Sequence, residues 1–193
     1  QVLENFIFII DITLWFTVLM SLFSLFSVGF IMGLTGAMAP GPLLTITIEE
    51  SAKRGGIVGP LVVLGHGILE LALLVLIVFG VGSFLNNPKV FFVIAFFGGF
   101  VLVYMGYSVM RSIKTYSLSE LTVGAKQGLS PVIAGIVVSL SNPYWFIWWI
   151  TIGMGYVMFA RDLGVVGILA FFVGHILSDL VWYSFISYGV QFG

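Results

Sequence analysis

Two short strings place ionisable side chains inside runs that are otherwise apolar: Gly65-His66-Gly67-Ile68-Leu69-Glu70-Leu71 and Gly174-His175-Ile176-Leu177-Ser178-Asp179-Leu180. In each, an acid follows a histidine by four residues, so that on a helix the two side chains share a face and can hydrogen-bond. An aspartate at the centre of a membrane helix costs at least about 2.5 kcal/mol on insertion scales, and intramembrane acids usually face a cavity or a partner. Three roles are open to these four residues. They form two satisfied packing pairs; or Glu70 and Asp179 take up and release protons that couple a gradient to transport; or His66, Glu70, His175 and Asp179 jointly ligate a divalent metal ion.

Each string is preceded by an apolar run interrupted at proline, by Ala39-Pro40-Gly41-Pro42 in one case and Ser141-Asn142-Pro143 in the other. Proline donates no backbone hydrogen bond, so both runs should break in mid-span, which a membrane helix tolerates only where protein or a water-filled cavity satisfies the freed groups. The half-helix starting at Pro42 would then turn free N–H groups and the positive end of its dipole towards the bilayer centre, a place suited to a carboxylate. Asn142-Pro143 would do the same from the other side. The candidate solute-binding residues are therefore Pro40, Gly41, Pro42, Thr45, Ser141, Asn142 and Pro143, with Thr35, Thr47 and Ser139 nearby. Trp145, Trp148 and Trp149 would either wall the pathway or pack against lipid and neighbouring helices.

The elements that position these residues are legible from hydropathy. A membrane helix needs about 20 predominantly apolar residues to cross a hydrocarbon core of about 30 Å. Five runs qualify, at 29–48, 57–84, 90–110, 131–159 and 163–188. A sixth apolar segment, 6–30, joins the first run without a polar break, so the chain is expected to turn near Ser27-Val28-Gly29 and make an extra helix, or else to lie in the interface. The cluster Glu49, Glu50, Lys53 and Arg54 is expected as a solvated helix end, or else as gating salt bridges. If that loop is cytoplasmic, the inside loops carry Lys53, Arg54, Arg111, Lys114 and Lys126, and the outside loops Lys89 and Arg161. Five against two follows the positive-inside rule.

The two landmarks recur in order, since His175 follows His66 by 109 residues and Pro143 follows Pro40 by 103. Three spans separate the copies, an odd number that inverts the second, as in the inverted repeats of secondary transporters. The division is an N-terminal segment 1–28, repeat one at 29–112 with three helices, and repeat two at 130–193 with two. The third helix of repeat two is expected beyond Gly193, or is replaced by the N-terminal segment.

Composition narrows the classes. Hydrophobic residues make up 60% of the 193 and charged residues 8%, against about 25% charged in soluble domains. Seven basic and eight acidic residues nearly cancel, so no nucleic-acid partner is implied. The absence of cysteine removes disulfides, thiolate metal sites and thiol electron relays. No His-Glu-x-x-His or Gly-x-Ser-x-Gly constellation marks an intramembrane enzyme, and no cofactor is expected.

Gly36-Ala37-Met38-Ala39-Pro40-Gly41-Pro42, a following Lys-Arg-Gly-Gly loop, an acid in the second span and Ser141-Asn142-Pro143 after a basic loop together resemble the lysine exporter (LysE) superfamily over about residues 29–188. Members often carry Lys after Asn-Pro, where this chain has Tyr144. The resemblance implies an ion-gradient-driven exporter of amino acids or similar solutes in a prokaryotic cytoplasmic membrane, and its wider superfamily also implies divalent-metal exporters. The sequence thus reads as an all-α, multi-pass integral membrane protein of five to six transmembrane helices. Its expected partners are a small solute, most simply an amino acid, the lipid bilayer, protons and a second copy of itself. A divalent-metal exporter and a non-transporting membrane scaffold are the alternatives.

Overall fold

The computed structural model describes residues 2–81, 87–89, 92, 96, 100, 103, 107 and 129–193. Their secondary structure is all helical. The span expected at 90–110, the third helix of repeat one, and the basic positions 111, 114 and 126 lie outside the described residues except at the isolated positions just named.

Helix α1 (Val2–Ala37) runs without interruption, so the turn expected near Ser27-Val28-Gly29 is not made. Nothing in that triplet removes a backbone donor. Gly29 serves packing instead, because a Cβ there would strike the carbonyl of Phe171. At 1.5 Å per residue, the 36 residues reach about 54 Å, well beyond the bilayer core.

The break comes at the prolines. Helix α2 (Pro42–Arg54) begins with proline at its first position, where the missing N–H costs nothing. It stops at Gly55, whose φ of 85° suits glycine and lets its N–H bond to Ser51 O at 2.8 Å. Helix α3 (Val58–Leu76) follows and ends in a π-helical turn, Ile77–Val81. In the second half, α4 (Pro131–Leu140) starts on a Ser130 cap, Ser141 and Asn142 interrupt it, and α5 (Pro143–Trp148) continues through a π-helical turn, Trp149–Gly153, into α6 (Met154–Ala160). A short 3-10 turn, Arg161–Leu163, and Gly164 at φ 67° reverse the chain into α7 (Gly164–Phe192).

Among the described residues, three stretches are long and apolar enough to cross a membrane: Leu14–Ala37, Val58–Gly80 and Pro143–Phe192. The last, 50 residues long, doubles back at Gly164. Tyr156 of α6 stacks on Phe171 of α7, and Trp148 of α5 on His175, so the α5–α6 leg is antiparallel to α7. Helices α1 and α2 run alongside α7 in its own direction, pairing Ala37 with Tyr183 and Ser51 with Ser187. The two proline-broken helices therefore point opposite ways. Helix α3 is likewise antiparallel to α7, with Gly59 against Tyr183 and Gly67 against Ile176.

Small residues set the closest approaches. A Cβ on Gly65 would collide with Val132 O of α4, and one on Gly135 with Val62 O of α3. The Gly29-x-x-x-Gly33 stripe is used inside the chain, where Gly33 lies against His175 and Ser178. Backbones brought this near gain dispersion contacts, the main cohesive term between helices whose surroundings are already apolar. Outward faces are correspondingly greasy, with Leu14, Trp15, Phe16, Leu19 and Phe23 of α1 exposed.

Candidate functional site

Helices α3 and α7 cross with their polar strings facing, and the four ionisable side chains meet. Glu70 is the hub. His66 Nε2 lies 3.1 Å from its Oε1, the contact within one helix face expected for a four-residue spacing. His175 Nε2 lies 2.9 Å from Glu70 Oε2, across the helix pair. It stands 3.7 Å from Asp179 Oδ2 of its own helix, too far for a hydrogen bond. The second expected pair is thus replaced by a cross-helix one, because the longer glutamate reaches the facing histidine. His66 Nε2 and Asp179 Oδ2 are 3.6 Å apart. One ligating atom from each of the four falls within 4.8 Å of every other, and all four residues are buried.

Two tryptophans complete the hub. The indole N–H of Trp145 donates to Glu70 Oε1 at 3.0 Å and that of Trp149 at 2.7 Å. They are four residues apart on the leg that begins at Asn142, so both face α3. Their part was missed in the sequence because apolar packing and hydrogen bonding to a distant acid leave the same trace in a tryptophan-rich string. The other nitrogen of His66 lies 2.7 Å from Ser139 Oγ, which fixes that ring from α4. Three buried atoms here have no hydrogen-bond partner among the described residues: Asp179 Oδ2, Trp148 Nε1 and His175 Nδ1.

A cavity of about 280 Å³ opens beside the cluster. Pro40, Gly41 and Asn142 from the two breaks line it with His66, Glu70, His175 and Asp179. The breaks face each other, since a Cβ on Gly41 would stand 3.9 Å from Asn142 Nδ2. They are not equivalent. Asn142 Oδ1 accepts from Tyr144 N at 3.1 Å and caps its own half-helix, whereas among the described residues no side chain caps α2. Of the remaining candidates, Pro42, Thr45, Ser141 and Pro143 do not line this cavity. Thr45 Oγ1 donates back to Gly41 O, Thr47 Oγ1 to Leu43 O and Ser141 Oγ to Val137 O. Trp145 and Trp148 do line it, so these tryptophans wall the space rather than face lipid.

The carboxylate expected in solvent at the end of α2 is also inside. Glu50 is buried and holds Arg54 Nε at 2.8 Å and Lys53 Nζ at 3.2 Å. Its face of α2 carries Ser51, whose hydroxyl meets Ser187 of α7, and the two cations close over it.

Comparison with known proteins decides the family. The family model for the LysE type translocator matches residues 34–192. The chain belongs to the LysE type translocator family. That match takes in both breaks and both His-acid strings. This translocator is also similar to the "Putative amino acid efflux protein YcgF" of Bacillus subtilis (strain 168), with 25% identity over 153 residues, 79% of this chain and 73% of that protein. No solved structure matches it significantly.

Proposed function

We propose that this LysE type translocator exports a small amino acid or related solute across a prokaryotic cytoplasmic membrane, driven by an ion gradient. One observation carries the reading. The cavity lies where the two opposed, proline-broken helices meet the buried His-acid cluster, which joins a solute site to a set of proton-exchanging groups as secondary transport requires. The opposed directions of α2 and the α5–α6 leg, and of α3 and α7, favour an inverted repeat. Glu70 and Asp179 are the coupling residues.

Export from proteoliposomes loaded with labelled amino acids tests this. An imposed proton gradient should drive export by the wild type. Glu70→Gln and Asp179→Asn should stop it, since the neutral side chains keep size and hydrogen bonding but give up no proton, and Glu70→Gln should leave much of the solute-for-solute exchange. Gradient-driven export by both variants would refute the coupling role. A second expectation concerns the break. Pro40→Ala with Pro42→Ala should let α1 and α2 fuse, close the uncapped helix end and abolish export while the protein still inserts. Unchanged export would make the break a kink without a ligand.

The four converging side chains also favour a second reading, in which the exported solute is a divalent metal ion. Two imidazoles and two carboxylates form a donor set suited to zinc or manganese. Calorimetric titration with zinc, manganese and cadmium separates the readings. A stoichiometric metal that is lost on replacing any one of His66, Glu70, His175 and Asp179 would establish the metal and displace the amino acid.

A further inference from the structure

The two buried acids are not equivalent in what they still lack. Glu70 is surrounded by N–H groups and ring nitrogens: Trp145 and Trp149 donate to Oε1, His66 lies 3.1 Å from that oxygen, and His175 lies 2.9 Å from Oε2. An indole N–H can only donate, so two of these partners need an acceptor, and Glu70 supplies it. Glu70 is 1% exposed and has no coordination to spare. Asp179 is different. Both acids line the cavity, but Asp179 Oδ2 has no hydrogen-bond partner among the described residues, and the nearest nitrogens stand at 3.6 and 3.7 Å. A buried carboxylate oxygen left in that condition is costly unless a donor arrives to satisfy it.

A complementary vacancy faces the same space. Trp148 lines the cavity with its ring stacked on His175 at 4.6 Å, and its Nε1–H is buried without an acceptor. Gly36 of α1 lies beside that N–H, where an added Cβ would come within 3.2 Å of Nε1. The missing side chain leaves room next to the donor. The cavity therefore carries one unmet acceptor and one unmet donor, both on residues more than nine-tenths buried.

We infer that the cavity reads the two ends of a zwitterion, with a primary ammonium received by Asp179 and a carboxylate by the Trp148 indole N–H, while Glu70 is the fixed anchor of the cluster and touches no solute. The inference rests on the amino-acid reading above and assigns its contacts. An ammonium supplies three donors to an acceptor-only carboxylate, and a carboxylate supplies the acceptor that an indole N–H needs.

Thermal stabilisation of the purified protein by each of the twenty amino acids finds the probe. Affinity is then measured for the amino acid that stabilises most, for its des-amino acid and for its decarboxylated amine; for leucine these are 4-methylpentanoate and 3-methylbutylamine. Each truncated analogue should bind the wild type more weakly, on the order of ten- to a hundred-fold, the usual effect of losing a hydrogen bond to a charged group. Asp179→Asn should erase most of the gap between the amino acid and its des-amino acid. Trp148→Phe, which keeps a ring over His175, should erase most of the gap between the amino acid and the amine. Glu70→Gln should leave both gaps open. Equal binding of the three compounds by the wild type would overturn the assignment whether or not any variant folds, and so would loss of the ammonium gap in Glu70→Gln with its retention in Asp179→Asn. Stabilisation by no amino acid would instead refute the amino-acid reading itself, and the assignment with it.

Discussion

Helices α3 and α7 are joined at two places by buried polar groups, and the places differ in kind. One is the cluster of His66, Glu70, His175 and Asp179 beside the cavity. The other lies at the α2–α3 turn, where Ser187 Oγ stands 2.6 Å from Ser51 Oγ, accepts from Gly59 N at 2.9 Å and lies 2.8 Å from Gly56 O, while Gln191 Oε1 accepts from Gly56 N. The serine junction is neutral, borders no part of the 280 Å³ cavity and consists of hydroxyls, backbone and an amide. Each group there has what it needs, so the junction holds the helix pair in register. The ionisable junction keeps unmet atoms, and a ligand or a moving proton can change its state. The difference teaches that burial of polar groups between these helices does not itself point to a site; unsatisfied polarity facing a cavity is what makes the first junction a candidate.

Substitutions can break that comparison. The largest effect is expected from Glu70→Ala, which removes the shared acceptor of two indoles and two imidazoles. Removing one partner of a buried ionic set costs about 3–5 kcal/mol, so a strong fall in resistance to unfolding in detergent should accompany loss of transport. Stability close to wild type would mean that the cluster is not the hub the distances describe. A smaller effect is expected from Gly59→Ala, because the new Cβ would meet Tyr183 O and Ser187 Cβ. Overpacking of this kind costs about 1–3 kcal/mol, and here solute affinity should be retained by the protein that folds. No larger is the effect expected from Ser187→Ala. It leaves Gly59 N and the Ser51 hydroxyl without their partner, a cost of about 1–3 kcal/mol at most, readable as a lower melting temperature with solute affinity intact. If Ser187→Ala weakened solute binding as much as Asp179→Asn, the two junctions would be one functional unit.

Much of this arrangement was written in the sequence by residue type and spacing. Proline at 40, 42 and 143 dictated where two membrane helices break, because a missing N–H acts locally and needs no tertiary context. The recurrence of Gly-His with an acid four residues on marked both strings that meet in the buried cluster. Apolar run length identified a helical membrane protein, since a backbone in hydrocarbon must satisfy its own hydrogen bonds.

What needed the fold was every choice among partners. Two His-acid pairs on two helices read as two local contacts, yet His175 bonds to Glu70, because only the crossing of α3 and α7 brings that carboxylate nearer than the one four residues along. Trp145 and Trp149 became ligands of Glu70 only when the leg after Asn142 was laid against α3. Glu50 looked like a solvated charge at a helix end, and its burial follows from the packing of the α2 face that carries Ser51 on α7. The missing turn at Ser27-Val28-Gly29 has the same origin, for glycine permits both a bend and a close approach and the neighbouring helix selects between them. Backbone chemistry is settled within a few residues, so the sequence by itself determined where helices run and break. Which of several competent donors and acceptors pair is settled by distance across the helix bundle, and only the tertiary structure decided that.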